Sequence, residues 1–89
     1  MNIDPLIAEL KKAHALASQF TGGYSARFMS AEEFAHALAQ TIAELEAGNT
    51  AALKKLNLWF LPTSDWDDFV KLEGMELGQR ISDMLRAQT

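Results

Sequence analysis

The sequence predicts an all-α fold: a compact bundle of four main helices plus one short helical turn, with no sheet, in a single helical domain over residues 1–89. Three observations predict it. Apolar residues recur at three- and four-residue spacing through most of the chain, the repeat of one face of an α-helix. Residues that start and stop helices punctuate that repeat. No segment keeps the strict apolar–polar alternation of a half-buried strand.

The first helix opens at Asp4, a good N-cap, with Pro5 at the first helical position. Ile3, Leu6, Ile7, Leu10, Ala13, Ala17 and Phe20 then form one stripe. Thr21, Gly22 and Gly23 are expected to end it, because glycine tolerates the left-handed conformation of a C-terminal cap. The link that follows carries Tyr24, Arg27, Phe28 and Met29. Ser30 caps the second helix, and Glu33 three residues on completes a capping box. Met29 and Phe34 stand where a hydrophobic staple packs. Phe34, Leu38, Thr41, Ile42 and Leu45 face inward, and Gly48 closes the helix.

Asn49 or Thr50 caps a third, shorter helix from about Ala51, with Leu53, Leu56 and Phe60 on its inner face. Pro62 lacks a backbone donor and restricts the residue before it, so the helix ends by then. Thr63 or Ser64 restarts the chain, and Ser64 to Asp67 has capping-box spacing with aspartate in place of glutamate. A short helix over Asp65–Leu72 carries Trp66, Phe69 and Val70 on one side, and Gly74 breaks it. The last helix spans about Met75 to Ala87, with Leu77, Ile81, Met84 and Leu85 inward. The links are short enough to favour antiparallel neighbours.

Composition narrows the function. A chain of 89 residues holds one modest core and buries roughly two thirds of its unfolded surface, so a large internal substrate cavity would compete with that core. Apolar residues make up 48% of the chain, which suits a folded rather than a disordered protein. A formal charge of −4 disfavours nucleic-acid binding, which needs clustered lysine and arginine, and allows a basic partner. There is no cysteine, hence no disulfide framework and no thiolate metal site. Neither a signal peptide nor an apolar run near the roughly 20 residues that span a bilayer is visible, so the expected location is the cytoplasm.

The densest stretch is LNLWFLPTSDWDDF, residues 56–69. Helical residues advance by about 100° each, so Leu58, Trp59, Phe60 and Leu61 point in four directions. Either neighbouring elements wrap this helix end, or part of the quartet stays at the surface. The first outcome gives a C-terminal mini-core of Trp59, Phe60, Trp66 and Phe69 against the last helix. The second leaves an aromatic patch for a partner or a second copy. Asp65, Asp67 and Asp68 suit the positive end of a helix. They also form an acidic shoulder able to meet lysine or arginine. They do not fit a calcium loop: counted from Asp65, the ligand position five is Phe69 and the glycine position six is Val70. Weak cation binding by these acids with Glu73 and Glu76 is the metal alternative.

Catalytic signals are sparse. His14 lies beside the apolar stripe and reads as a core histidine; His36 faces outward near Glu32, Glu33 and Gln40. No serine stands in a nucleophile motif. The TGGYS stretch does not follow a strand and lacks the lysine of a phosphate-binding loop. No catalytic, cofactor-binding or metal-ligating residue is therefore assigned, and no cofactor is expected. Gly78 falls inside the last helix, where glycine costs about 1 kcal/mol relative to alanine. Close approach of the Trp59 or Trp66 indole would explain it.

Trp59, Phe60, Pro62, Thr63, Asp65, Trp66, Asp67, Asp68, Phe69, Leu77 and Gly78 together resemble a pattern found in small uncharacterised bacterial helical proteins. The resemblance covers about the last third of the chain and implies a bacterial origin without implying an activity. In size, acidity and helical content the chain is also similar to bacterial immunity proteins, an analogy that rests on no motif. The expected function is a non-catalytic protein-interaction module. Its partner-binding residues would be Trp59, Asp65, Trp66, Asp67 and Asp68, with Tyr24, Arg27 and Phe28 as a second edge. The partner is a protein, a basic one suiting the acids, or a second copy making a homodimer; neither nucleic acid nor membrane is expected. The alternative is an immunity- or antitoxin-type inhibitor whose acids block a basic toxin. A small enzyme or weak metal binder comes third.

Overall fold

Ser30 and Gly48 frame the helix whose ends the sequence marks most clearly. A computed structural model of the protein describes residues 3–25, 27–61 and 64–88. Its α-helices are α1 (Asp4–Ala17), α2 (Ala31–Glu46), α3 (Ala52–Trp59), α4 (Asp65–Val70) and α5 (Met75–Gln88). A 3₁₀ turn over Lys71–Gly74 leads into α5, and no strand occurs among the described residues. The all-α prediction, with four longer helices and one short one, holds.

At the start of α2, Ser30 is extended and its hydroxyl oxygen accepts the Glu33 N–H at 3.1 Å. At its end, Gly48 takes a φ of +93°. The Gly48 N–H then reaches the Leu45 carbonyl and the Asn49 N–H reaches the Glu44 carbonyl, both at 3.0 Å. This reciprocal pair satisfies two carbonyls that the helix leaves open, and it requires the left-handed residue that glycine supplies. The Asn49 side chain next accepts the Ala51 N–H at 3.1 Å, which turns the chain into α3.

Several local expectations shift. Asp4 is the first residue of α1 rather than its cap, with Ile3 in the cap position; a carboxylate there still faces the positive helix end. α1 stops at Ala17, ahead of the glycines. Ser18 donates both its N–H (2.9 Å) and its hydroxyl (2.7 Å) to the His14 carbonyl, a local bond that competes with helix continuation. The Met29–Phe34 staple does not form, because Met29 is 78% exposed. Phe28 replaces it, with its ring centroid 5.2 Å from that of Phe34 in an edge-on arrangement.

The capping box from Ser64 to Asp67 is also absent, since Ser64 makes no side-chain cap bond. Its hydroxyl donates to the Leu58 carbonyl at 2.8 Å instead, tying α4 back to α3. The short helix ends at Val70 rather than Leu72, and the interruption sits at Lys71, which has a φ of +57°. Gly74, expected as the break, lies within the 3₁₀ turn. Pro62 and Thr63, expected to stop α3 and restart the chain, lie outside the described residues.

Packing closes the four longer helices into a ring in which α1 meets α2, α2 meets α3, α3 meets α5, and α5 returns to α1. Helix α4 fills the corner against α5 and α1. The radius of gyration is 11.8 Å, against about 12 Å for a compact chain of this length. Leu6, Leu10, Leu38, Leu45, Leu56, Ile81 and Leu85 are fully buried at the centre, as the stripes require.

Candidate functional site

The quartet at the end of α3 divides in two. Trp59 and Phe60 are buried, whereas Leu58 and Leu61 are 45% and 41% exposed. Wrapping comes from both sides. Phe28, from the link before α2, packs edge-on against Trp59 at 5.3 Å. Trp66, from α4, tilts against Phe60 at 5.0 Å. Phe34 stacks on Phe69 at 5.3 Å and joins the two halves. The aromatic mini-core therefore exists, and it extends beyond the C-terminal third to recruit Phe28 and Phe34.

Trp66 is 1% exposed. Its indole N–H donates to the Gly74 carbonyl at 2.8 Å, which satisfies the one polar atom such a buried ring carries. The ring lies so close to α5 that a Cβ at Gly78 would fall 2.4 Å from Nε1, and one at Gly74 would fall 2.6 Å from Cζ2. Of the two indoles proposed to explain Gly78, Trp66 is the one that approaches it.

Asp65 is 1% exposed. One carboxylate oxygen accepts the Ser25 hydroxyl and the other the Arg27 guanidinium, the latter at 2.8 Å. Ser25 and Arg27 are thereby fastened to the start of α4, and the Ser25 N–H adds a bond to the Phe28 carbonyl at 2.8 Å. Burying a carboxylate is costly unless it is paired and hydrogen-bonded, and these partners meet that condition.

Of the five residues expected to bind a partner, then, Trp59, Trp66 and Asp65 are enclosed by the chain itself, and neither indole presents a face to solvent. Asp67 is half-buried and lines a small depression with Phe60, Met75, Gly78 and Gln79. Asp68 is exposed, beside Phe69, Lys71 and the Gly22–Gly23 turn. The second edge also splits: Tyr24 is 81% exposed, Phe28 is in the core, and Arg27 is held by Asp65.

The apolar surface that remains includes residues sequence reasoning left unassigned. Leu72 is 80% and Met75 58% exposed. With Glu76, Gln79, Arg80 and Asp83 they line an open trough along the outer face of α5. Met75 borders the Asp67 depression as well, so it joins the two concavities. A signal existed: neither Leu72 nor Met75 falls on the inward stripe of Leu77, Ile81, Met84 and Leu85. The segment 67–76 holds Asp67, Asp68, Glu73 and Glu76 against a single base, Lys71, so the exposed apolar pair stands in a negative surround.

Other groups with chemical potential are tied into the fold. The Ser18 hydroxyl oxygen lies 3.4 Å from His14 Nε2, a serine–histidine proximity the sequence reading did not single out. The hydroxyl proton points to the His14 carbonyl at 2.7 Å, so the imidazole is not placed to remove it. His36 is exposed on α2. Glu9 bridges α1 and α5: the Lys12 ammonium at 2.9 Å and the Arg80 guanidinium at 2.9 Å hold its carboxyl below the ordinary value, against partial desolvation. The Gly22 N–H, 2.8 Å from Glu32 Oε1, lowers the Glu32 carboxyl in the same way. Among the described residues no group of three or more histidine, aspartate or glutamate side chains is arranged to hold a metal ion. Nor is any helix there long and apolar enough to cross a membrane.

Compared with protein-family models, with curated proteins and with solved structures, the chain has no significant match.

Proposed function

We propose that the protein is a non-catalytic protein-interaction module whose contact surface is the junction of α4 and α5. The observation that carries this reading is the exposure of Leu72 and Met75 side by side on helical backbone, in a chain that buries both tryptophans and all its phenylalanines but the half-buried Phe20. Adjacent apolar residues held on a rigid element at a concave surface suit recognition of a partner. Tyr24 and Met29 are as exposed, but they stand on a link between helices. Of the expected acids, Asp67 borders this surface through the depression it shares with Met75, and Asp68 lies apart beside Lys71 and the Gly22–Gly23 turn. Leu72 and Met75 take over the anchoring assigned to Trp59 and Trp66. A bacterial source is supported by the resemblance of the Trp59–Gly78 motif alone.

Affinity capture from the source organism tests the reading. The wild-type chain is compared with Leu72→Ser/Met75→Ser, and retained proteins are identified by mass spectrometry. Both positions are exposed, so the variant keeps its fold, which circular dichroism checks. A protein retained by the wild type and lost by the variant supports the module. Identical retention by both removes it.

An immunity-type inhibitor is the second reading, favoured by four carboxylates within residues 67–76. Its complex would weaken steeply as salt rises, because exposed charges are screened over about 10 Å at 0.1 M ionic strength. It would also survive Leu72→Ser/Met75→Ser, which a complex anchored by Leu72 and Met75 would not.

A further inference from the structure

We infer that the partner of this surface is a short amphipathic helix that carries lysine or arginine beside its apolar residues and lies along the outer face of α5. The inference rests on the interaction-module reading and names the chemistry of the partner. Leu72, Met75, Glu76, Gln79, Arg80 and Asp83 line one trough. From Met75 to Asp83 their three- and four-residue spacing makes that trough a strip along one face of α5. Over that span it runs roughly 12 Å, about two helical turns, and Leu72 extends it on the 3₁₀ turn that leads into the helix. A strip of that shape accepts another helix side by side, with a few apolar anchors set at matching intervals.

Charge selects the sign of that helix. The strip's own arginine is committed, since Arg80 pairs with Glu9 at 2.9 Å. Asp83 pairs with Arg86 on its own helix. The acids nearest the apolar end are Glu76, in the trough itself, and Glu73, exposed on the intervening turn. Leu72 and Met75 thus sit beside two exposed carboxylates. A partner that buries them must bring positive charge to the rim, because like charges set against each other oppose docking. The same argument disfavours a second copy, whose matching strip carries the same acidic excess. It also disfavours an anionic membrane surface, which repels an acidic patch.

The test uses a displayed library of random peptides selected against the full chain, with counter-selection against the folded Leu72→Ser/Met75→Ser variant. Light scattering of the unliganded chain is measured alongside. The expected result is enrichment of sequences with apolar residues at three- and four-residue spacing flanked by lysine or arginine. Synthetic versions should bind roughly tenfold or more weakly to the variant. They should also weaken with added salt and with Glu73→Gln/Glu76→Gln. Enriched peptides that depend on Leu72 and Met75 yet are neutral or acidic overturn the basic partner while leaving the module reading in place. Self-association of the wild type that is lost in the variant overturns it in favour of a second copy. If no peptide distinguishes wild type from variant, both the inference and the module reading fall.

Discussion

The indole of Trp66 rests against the backbone of α5 at Gly78, so that a Cβ at that glycine would lie 2.4 Å from Nε1 and 2.5 Å from Cδ1. The same ring is fixed by its bond to the Gly74 carbonyl. Two glycines, four residues apart on one side of the turn into α5, therefore form the seat of one tryptophan. This contact holds α4, a helix of six residues, which is far shorter than a helix that persists alone in water.

Gly78→Ala is expected to destabilise the protein. Alanine gains about 1 kcal/mol in helix propensity, but it forces a large, buried, hydrogen-bonded ring to move. Overpacking of this kind costs about 1–3 kcal/mol, and the separation here is well below van der Waals contact. The measurement is the urea midpoint, with Gly78→Ala lower than wild type; a higher midpoint would refute the close packing.

Arg27→Met should lower stability by about 1–3 kcal/mol, because it leaves the buried Asp65 carboxylate with reduced compensation. The figure is moderated by the partial exposure of Arg27, whose side chain is 41% accessible. Pairing it with Asp65→Leu should cost less than the sum of the two single changes, since the double variant leaves no unpaired buried charge. A double-mutant cycle by chemical denaturation reads this coupling, and strict additivity would show that the pair is not coupled.

Lys71→Gly should stabilise the chain by about 1 kcal/mol. Lys71 has φ +57° and ψ −139°, a region that costs a side-chain-bearing residue of order 1–3 kcal/mol and glycine little. The extra freedom of glycine in the unfolded chain offsets part of the gain. The expected sign is opposite to that of an ordinary lysine-to-glycine change beside a helix, so a lowered thermal midpoint would exclude strain at this position.

Stability should fall as the solution is acidified below the ordinary glutamate value of 4.5. Glu9 and Glu32 both have lowered values in the folded chain. Their contribution is fully present above the unfolded value and is lost as pH falls through the folded one. Glu32→Gln should flatten the acid limb of a plot of urea midpoint against pH, because the Gly22 N–H then bonds to a group that does not titrate. An unchanged slope would mean that this bond does not contribute in solution.

The sequence by itself determined the helices and most of their ends. Ser30 supplies a hydroxyl where α2 needs an acceptor, and Gly48 supplies a left-handed residue where α2 must stop; both effects act within a few residues. The inward stripes were legible for the same reason, since helical periodicity is a local property of the chain. The tertiary structure alone decided the fates of Trp59, Trp66 and Asp65. Periodicity could state that Leu58, Trp59, Phe60 and Leu61 point four ways, but not which of them a distant element would cover. Phe28 covers Trp59 from 31 positions away, and Ser25 reaches Asp65 across 40. Those contacts depend on how the ring of helices closes, and no local spacing encodes that closure. Met75 remained in solvent, with Leu72 on the turn before it, because the same closure turns the α5 face bearing Ile81 and Leu85 toward the core and leaves the opposite face unpacked.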